Sequence, residues 1–188
     1  MKIVSIIIPT YNSARTLEQC LLSLQNQDYT AIEIIVVDNF SADNTLEIAQ
    51  KYTQNVFQKW PERTAQKNYG IEQAAGEYLC FIDSDMRVWK KVISECVEKI
   101  ESSEIIGWVC IPEKSIWKWF FVKVRDFERS FYEWTTVESA RFFRKYDVGR
   151  VWGFEEDLIF FEESLLPQKI ESFLELDCTA RIKEYIEH

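Results

Sequence analysis

A short apolar segment that ends in two carboxylates is the feature that most constrains the fold of this chain. Residues 78–82 are apolar and have the length of a buried strand, and Asp83-Ser84-Asp85 follows directly. A strand buried on both faces carries no charge along its length, so these carboxylates belong at its carboxyl end, where open α/β sheets bind ligands. The segment therefore predicts an internal strand of an α/β sheet with polar chemistry at its end.

The spacing of the two carboxylates suits a divalent cation. On a locally extended backbone, Asp83 and Asp85 point the same way because side chains alternate along a strand. Two hard oxygen donors on a rigid base suit a cation that also takes oxygens from a substrate phosphate. Aspartate and serine are also ordinary turn residues, so a solvated turn after the strand is the alternative interpretation.

Apolar runs alternate with helical patterns through residue 111. Strands are predicted over residues 2–9, 33–38, 56–57, 78–82 and 105–111. Helices are predicted around Leu17, Cys20, Leu21 and Leu24, and over residues 45–52, 64–75 and 88–100. Gly76 is expected to end the third helix in the left-handed conformation. The alternation predicts an α/β fold, with a Rossmann-like, mostly parallel twisted sheet and helices on both faces.

The pattern changes after Pro112. Residues 115–134 are dense in aromatic side chains interleaved with lysine and arginine, which favours a helix. Its aromatic residues could form core, an apolar acceptor groove, a membrane-surface contact or a dimer surface. A strand is predicted over residues 138–144, a glycine-marked loop over 148–154 and one or two strands within 173–186. No linker is evident, so a single domain with a short C-terminal elaboration is expected.

Charge and composition exclude several classes of protein. A net charge of −9 argues against a general nucleic-acid surface, which needs basic residues to displace counterions. A phosphate-bearing ligand would need local compensation, most simply from a metal ion. The five cysteines show no CxxC spacing and are interpreted as buried hydrophobes in a reducing compartment. No signal-peptide pattern and no apolar window of the ~18 residues that span a membrane is present, so a cytoplasmic location is expected.

Several ordered motifs carry a resemblance to a known family. They read SIIIPTYN at 5–12, IIVVDNFSADNT at 34–45, QKNYGI at 66–71 and AGEY at 75–78, followed by Asp83-Ser84-Asp85. With these spacings the chain resembles the family 2 nucleotide-sugar glycosyltransferases, whose fold is called GT-A. The resemblance covers nearly the whole chain. It implies one GT-A domain over residues 1–188, with a nucleotide-sugar-binding half in 1–111 and an acceptor-side half in 112–188.

The resemblance implies a nucleotide site at the ends of the first two strands. Pro9, Tyr11 and Asn12 belong to the exit of the first strand, where Tyr11 would stack on or flank the base. Asp38 ends the second strand and would accept a hydrogen bond from the base, as a carboxylate can from a uracil or guanine N–H.

The resemblance also implies a metal-bound diphosphate. Asp83 would bind the ribose or assist the metal, and Asp85 would ligate Mg²⁺ or Mn²⁺, which neutralises the leaving nucleotide diphosphate. Lys67 or Arg63 could add a positive contact. Some GT-A enzymes supply a late histidine as a further metal ligand, and His188 is the candidate here, with a frayed or non-native terminal residue as the alternative.

The acceptor side carries the candidate catalytic base. Inverting members of the family use a carboxylate, usually the aspartate of a Glu-Asp pair at the start of a late helix, to deprotonate the acceptor hydroxyl. Glu162 and Glu163 occupy that place, so Glu163 is the candidate base with Glu162 beside it. The second glutamate departs from the family's aspartate and is one methylene longer. Residues 152–154 resemble the family's glycine-rich approach to the acceptor site.

The sequence therefore predicts a metal-dependent, inverting glycosyltransferase that moves one sugar from a nucleotide-diphosphate sugar, with UDP favoured, to an acceptor hydroxyl. A glycan or lipid-linked acceptor is expected, with the enzyme in the cytoplasm or at the inner face of the membrane. The Gln-x-x-Arg-Trp signature of processive synthases is absent, which favours transfer of one sugar per encounter. The alternatives are a catalytically weakened nucleotide-sugar-binding module, and a nucleotidyltransferase or retaining transferase on a similar sheet.

Overall fold

The computed structural model describes residues 1–61, 63–114, 140–155, 162–174, 178–182 and 184–187. Its strands are β1 (Val4–Thr10), β2 (Ile32–Asp38), β3 (Val56–Gln58), β4 (Tyr78–Phe81), β5 (Arg87–Val88), β6 (Ile106–Cys110), β7 (Glu113–Lys114), β8 (Ala140–Arg144), β9 (Cys178–Arg181) and β10 (Ile186–Glu187). Its helices are α1 (Leu17–Gln25), α2 (Thr45–Gln50), α3 (Arg63–Gln73), α4 (Val92–Glu101), α5 (Lys145–Arg150) and α6 (Glu162–Leu174).

Seven of the strands form one sheet in the order β3-β2-β1-β4-β8-β6-β9. β1 is parallel to β2 and β4, whereas β8 runs antiparallel to both β4 and β6. β6 and β9 are again parallel to each other. The predicted mostly parallel α/β sheet is confirmed, and β8 is the reversed strand within it.

Every residue of β1 is buried because the strand lies inside the sheet with helices on both faces. Ile6 and Ile8 face a cluster built with α1 and α4, where Leu17 and Cys96 are fully buried. Ile7 faces the other cluster, which includes residues of α5 and α6. The continuous apolar run of the first strand is explained by burial on both sides.

A second, three-stranded sheet has the order β5-β10-β7 and adjoins the end of β4. The prediction of a helix over residues 88–100 is wrong at its start. Residues 88–91 are not helical, because Val88 pairs with Ile186 and α4 begins at Val92. A second correction concerns residues 148–154, because α5 continues to Arg150 before the chain turns. The pairing of short distant segments is not visible in local periodicity, which explains the first difference.

Gly76 follows α3 but does not adopt the left-handed conformation that was expected of it. A Cβ atom there would lie 2.6 Å from the Ile3 carbonyl oxygen and 2.6 Å from Ser5 Oγ. Glycine is therefore required by close approach to the β1 segment, and not by its backbone torsions.

Cys20, Cys80, Cys96 and Cys110 are buried, as predicted, and burial raises the pKa of the Cys80 thiol to about 12. The side chain of Cys178 and the aromatic segment 115–134 lie outside the described residues. Within the described part of the chain, no helix has both the length and the apolar character needed to cross a membrane.

Candidate active site

A cavity of about 650 Å³ opens at the carboxyl ends of β1 and β4. Pro9, Tyr11 and Asn12 line it from the exit of β1, and Asp83 and Asp85 line it from the segment after β4. These strands are parallel neighbours, so their carboxyl ends meet at one edge of the sheet. The structure thus brings together five of the residues that the sequence singled out.

The exit of β1 is held in shape by its asparagine. Asn12 adopts a left-handed conformation (φ 48°), which asparagine tolerates better than most residues. Its backbone N–H donates to Ser41 Oγ (2.8 Å), and its side-chain oxygen accepts from the Ala42 N–H (2.9 Å). The loops after β1 and β2 are therefore tied together, and Tyr11, which is 63% exposed, projects from this fixed loop.

Asp38 is fully buried at the end of β2 and does not line the cavity. Its Oδ1 accepts hydrogen bonds from Thr10 Oγ1 (3.0 Å) and Ser41 Oγ (2.5 Å), and its Oδ2 accepts from the Ser41 N–H (2.8 Å). A carboxylate offers roughly four lone-pair positions, which leaves one for a base N–H. The side chain shapes the loop between the two strands, and its contact with a base stays a prediction.

Asp83 and Asp85 differ in the hydrogen bonds and ion pairs that their carboxylates make. Asp83 Oδ2 accepts from Arg141 Nη2 (3.2 Å), and Oδ1 lies 3.7 Å from Arg63 Nη1. Asp85 is exposed, and its carboxylate makes no hydrogen bond or ion pair with another described residue. Hard carboxylate oxygens suit Mg²⁺ or Mn²⁺, so this donor pair fits the implied cation, with Asp85 as the ligand that has the fewest competing partners.

The turn between the two carboxylates is fixed from the α1 side. Ser84 Oγ lies 2.8 Å from Ser13 Oγ, and the Cys20 thiol donates to the Asp83 carbonyl oxygen at 3.7 Å. Burial, together with the nearby Asp83 and Asp85 carboxylates, raises the pKa of Cys20, so its thiol stays protonated and can act as this donor.

The two positively charged side chains of helix α3, Arg63 and Lys67, lie in different surroundings. Arg63 lines the cavity at the start of the helix, whereas Lys67 is almost fully buried, with Nζ 5.2 Å from the Phe154 ring centroid. Gln66 lies between them and donates to the carbonyl oxygens of Thr10 (2.9 Å) and Val37 (2.5 Å). Lys67 is not among the residues that line the cavity, so its contact with a donor stays a prediction.

The loop that follows α5 is anchored by contacts of Phe154 with α3 and β4. Trp152 (φ 64°) and Gly153 (φ 71°) are both left-handed. Phe154 packs edge-to-face on Phe81, at a centroid distance of 5.0 Å. Asn68 Nδ2 donates to the Phe154 carbonyl (2.9 Å), and Asn68 Oδ1 accepts from the Phe154 N–H (2.9 Å). These contacts hold the loop beside β4, the strand after which Asp83 and Asp85 follow.

The predicted catalytic pair lies where a late helix begins. Glu162 and Glu163 are the first two residues of α6, in agreement with the predicted helix start. Their side chains, like the whole of His188, lie outside the described residues. The roles assigned to these three residues therefore stay predictions.

Arg141 is a site residue that the sequence analysis missed. It occupies β8 between Ala140 and Phe142, all three are buried, and its guanidinium reaches Asp83. The available signal was a charged residue between the apolar residues Ala140 and Phe142 inside the predicted strand 138–144. Its partner could not be identified because β8 pairs with β4 across a long sequence separation.

These features, a mixed sheet with an acidic segment at the carboxyl edge, define a GT-A-type transferase fold. The sequence model of glycosyl transferase family 2 matches residues 5–155, and the chain belongs to that family. The suggested family resemblance is therefore confirmed.

Two curated relatives illustrate the similarity. The GalNAc(5)-diNAcBac-PP-undecaprenol beta-1,3-glucosyltransferase of Campylobacter jejuni is 35% identical over 122 residues, 58% of this chain and 38% of that protein. The poly(ribitol-phosphate) beta-N-acetylglucosaminyltransferase TarS of Staphylococcus aureus is 34% identical over 106 residues, 52% of this chain and 18% of TarS. The matched segments thus span well under half of either relative.

Solved structures agree with this assignment over the entire chain. TarS 1–349 from S. aureus aligns with 100% of this chain and 60% of its own, with a TM-score of 0.79 and 25% identity. The same fragment in complex with UDP-GlcNAc gives a TM-score of 0.79 at 24% identity, covering 100% and 58%. The mannosyltransferase PcManGT from Pyrobaculum calidifontis, in complex with GDP-Man and Mn²⁺, gives 0.82 at 20% identity, covering 100% and 56%. The last two likenesses show the shared fold.

Proposed function

We propose that this glycosyltransferase moves one sugar from a nucleotide-diphosphate sugar to an acceptor hydroxyl, with inversion at the anomeric carbon. The observation that carries the proposal is the cavity at the carboxyl edge of the sheet. It brings an exposed aromatic ring (Tyr11), a guanidinium (Arg63) and a carboxylate pair (Asp83 and Asp85) to one place. A base, a diphosphate and a cation are the ligand groups that this set of side chains matches.

Asp85, assisted by Asp83, is the proposed site of Mg²⁺ or Mn²⁺. A bound cation would neutralise the charge that develops on the leaving nucleotide diphosphate. Arg63 would add a second positive charge beside it, which matters in a chain of net charge −9. His188 is kept as the proposed third ligand, as the family resemblance implies.

Glu163 is the proposed general base, with Glu162 next to it. Its place among the first described residues of α6 matches the late-helix position that the family resemblance implies for the base. An ionised carboxylate on the face of the sugar opposite the leaving group could take the acceptor hydroxyl proton as the new bond forms. Inversion follows because attack and departure occur on opposite faces.

The names of related proteins support the donor and acceptor classes. The TarS complex contains UDP-GlcNAc, which supports a UDP-linked donor, whereas the PcManGT complex contains GDP-Man. The Campylobacter relative is named for an undecaprenol-linked acceptor and TarS for a poly(ribitol-phosphate) acceptor. We therefore propose a glycan or lipid-linked acceptor, as in the synthesis of cell-surface polysaccharide or glycolipid. A lipid-linked acceptor would bring the enzyme to the inner face of the membrane.

Calorimetric titration of UDP, GDP and their sugars, with and without Mn²⁺, tests the donor site. One nucleotide is expected to bind tightly only when Mn²⁺ is present, and Asp85→Ala is expected to abolish the metal-dependent part. Glu104→Ala is the matched control, since Glu104 is an exposed carboxylate before β6, at the opposite edge of the sheet. Unchanged binding in Asp85→Ala would overturn the metal assignment, and donor binding without any transfer would favour the weakened binding module.

A further inference from the structure

We propose that Arg141 is a positioning residue for donor binding, acting through Asp83, and this inference rests on the function proposed above. Arg141 projects from β8, whose strand direction opposes that of its neighbour β4. Its side chain is only 3% exposed and does not line the cavity. Any effect on the donor must therefore pass through the groups that the guanidinium contacts.

Those contacts fix the guanidinium in one orientation. Nε and Nη2 both donate to Glu113 Oε1 (2.8 and 2.6 Å), and Nη1 donates to the Phe81 carbonyl oxygen (3.2 Å). Glu113 lies on β7 and Phe81 ends β4, so the plane of the group is set by two separate elements. With its plane fixed, Nη2 also donates to Asp83 Oδ2 at 3.2 Å.

The charges explain why the cluster is stable where it is. A buried guanidinium is costly unless it is paired and hydrogen-bonded, and here two carboxylates compensate it. The Glu113 and Asp83 side chains are 12% and 20% exposed, so Glu113 is the more enclosed partner and Asp83 the one closer to solvent. Glu113 thus anchors Arg141, and Arg141 in turn holds the carboxylate at the cavity.

This arrangement presents a single Asp83 oxygen to the cavity. Oδ2 is occupied by Arg141, which leaves Oδ1 on the side of Arg63, at 3.7 Å from its Nη1. A carboxylate fixed by one oxygen cannot rotate freely, so no orientational freedom is lost when a donor hydroxyl or a cation meets Oδ1.

Lysine cannot replace this arginine. An ammonium group is a point charge and lacks the planar fork that spans Glu113, the Phe81 carbonyl and Asp83 together. Arg141→Lys therefore keeps the charge but loses the geometry, whereas Arg141→Met removes both. Asp83→Asn removes the carboxylate through which Arg141 is proposed to act.

The test is titration of UDP in the presence of Mn²⁺ into the wild type, Arg141→Lys, Arg141→Met, Asp83→Asn and the Arg141→Met/Asp83→Asn double variant. Circular dichroism melts are recorded for each, so that lost stability is separated from lost affinity. Arg141→Met is expected to raise the UDP dissociation constant roughly tenfold, the equivalent of about one charge-assisted hydrogen bond. Arg141→Lys is expected to give an intermediate value.

The double variant distinguishes positioning from a merely structural role. If Arg141 acts through Asp83, adding Arg141→Met to Asp83→Asn changes the dissociation constant by less than about twofold, because the coupled term is already lost. Equal tenfold losses in both backgrounds, or wild-type affinity in folded Arg141→Met, would overturn the inference. If Arg141→Met does not fold, wild-type affinity in Arg141→Lys overturns it equally. A wild type that binds no nucleotide with Mn²⁺ instead contradicts the proposed function itself.

Discussion

The carboxylates around the cavity differ in how many partners already hold them, and this difference separates their roles. Asp38 is buried with three hydrogen bonds and organises a loop. Asp83 is shared between two guanidinium groups, and Asp85 is exposed without a hydrogen bond or ion pair to a described residue. A free hard oxygen donor suits a cation, while a paired one suits a fixed contact. The residue type alone, aspartate in all three cases, does not reveal this.

Glu163→Gln tests the proposed base. The amide is nearly isosteric but cannot accept the hydroxyl proton, so transfer is expected to fall by at least about a hundredfold. Donor affinity is expected to stay at the wild-type value, since the described residues that line the donor cavity belong to other segments of the chain. Release of UDP in the presence of acceptor, beside a calorimetric dissociation constant, measures the two effects separately.

Glu162→Gln is the matched control for that substitution, because the two residues are adjacent at the start of α6. It is expected to retain most of the transfer rate. Full activity in Glu163→Gln would place the base elsewhere. A loss confined to Glu162→Gln would exchange the two roles.

Some site residues could be predicted from the sequence because local pattern alone locates them. Tyr11, Asp83 and Asp85 follow apolar runs, and parallel strands necessarily bring their carboxyl ends to one edge. Arg141 and Lys67 could not be assigned in this way. Arg141 reaches Asp83 only through the β4–β8 pairing, and Lys67 is buried because α3 turns that face toward Phe154.

The helices and strands that position the site are packed with little tolerance. Helix α3 lies directly against β1, and Gly70 is the point of contact: a Cβ there would lie 2.5 Å from Ile7 Cγ2. Ile7 is fully buried in the central strand, so it has no room to move aside. This contact sets the distance of Arg63 and Gln66, on the same helix, from the exit of β1.

Gly70→Ala is therefore expected to destabilise the protein by about 1–3 kcal/mol through overpacking. Gly149→Ala is the control, since Gly149 lies in α5 and, beyond its own helix backbone and chain neighbours, no atom of the described residues lies within 4 Å of an added Cβ. It is expected to stabilise the protein by up to about 1 kcal/mol, because alanine is the better helix former. Urea denaturation followed by circular dichroism measures both, and a stabilised Gly70→Ala variant would contradict this account of the α3–β1 contact.

The bounds of an element could be predicted where its buried residues recur at a regular spacing. They could not be predicted where pairing with a distant segment sets them. The four residues whose spacing predicted the first helix, Leu17, Cys20, Leu21 and Leu24, are all buried in α1. The predicted helix 88–100 begins only at Val92, and its predicted first residue, Val88, belongs to β5, which pairs with β10. Such a two-residue strand carries no pattern of its own.

At the scale of the whole molecule, the described lining of the cavity comes from residues before position 111. Among the described residues, those that line the cavity all lie between Pro9 and Asp85. The later part reaches this region through Arg141 at Asp83 and Phe154 at Phe81. A division into a donor half, 1–111, and an acceptor half, 112–188, stays a prediction, and these two contacts are among those that join the two parts near the cavity.

Because the cavity joins β1, β2 and β4 segments of one sheet, a bound donor should stabilise the entire fold. At about 100 times its dissociation constant, a ligand that binds only the folded state contributes about 2.7 kcal/mol. For a chain of this length that corresponds to a rise in Tm of roughly 5–10 °C. Thermal melts with UDP and Mn²⁺ together are expected to show this rise, and Asp85→Ala is expected to lose it while keeping its own Tm near the wild-type value. An equal rise with UDP alone would remove the metal from the account of donor binding, since the carboxylate pair would then contribute nothing through a cation.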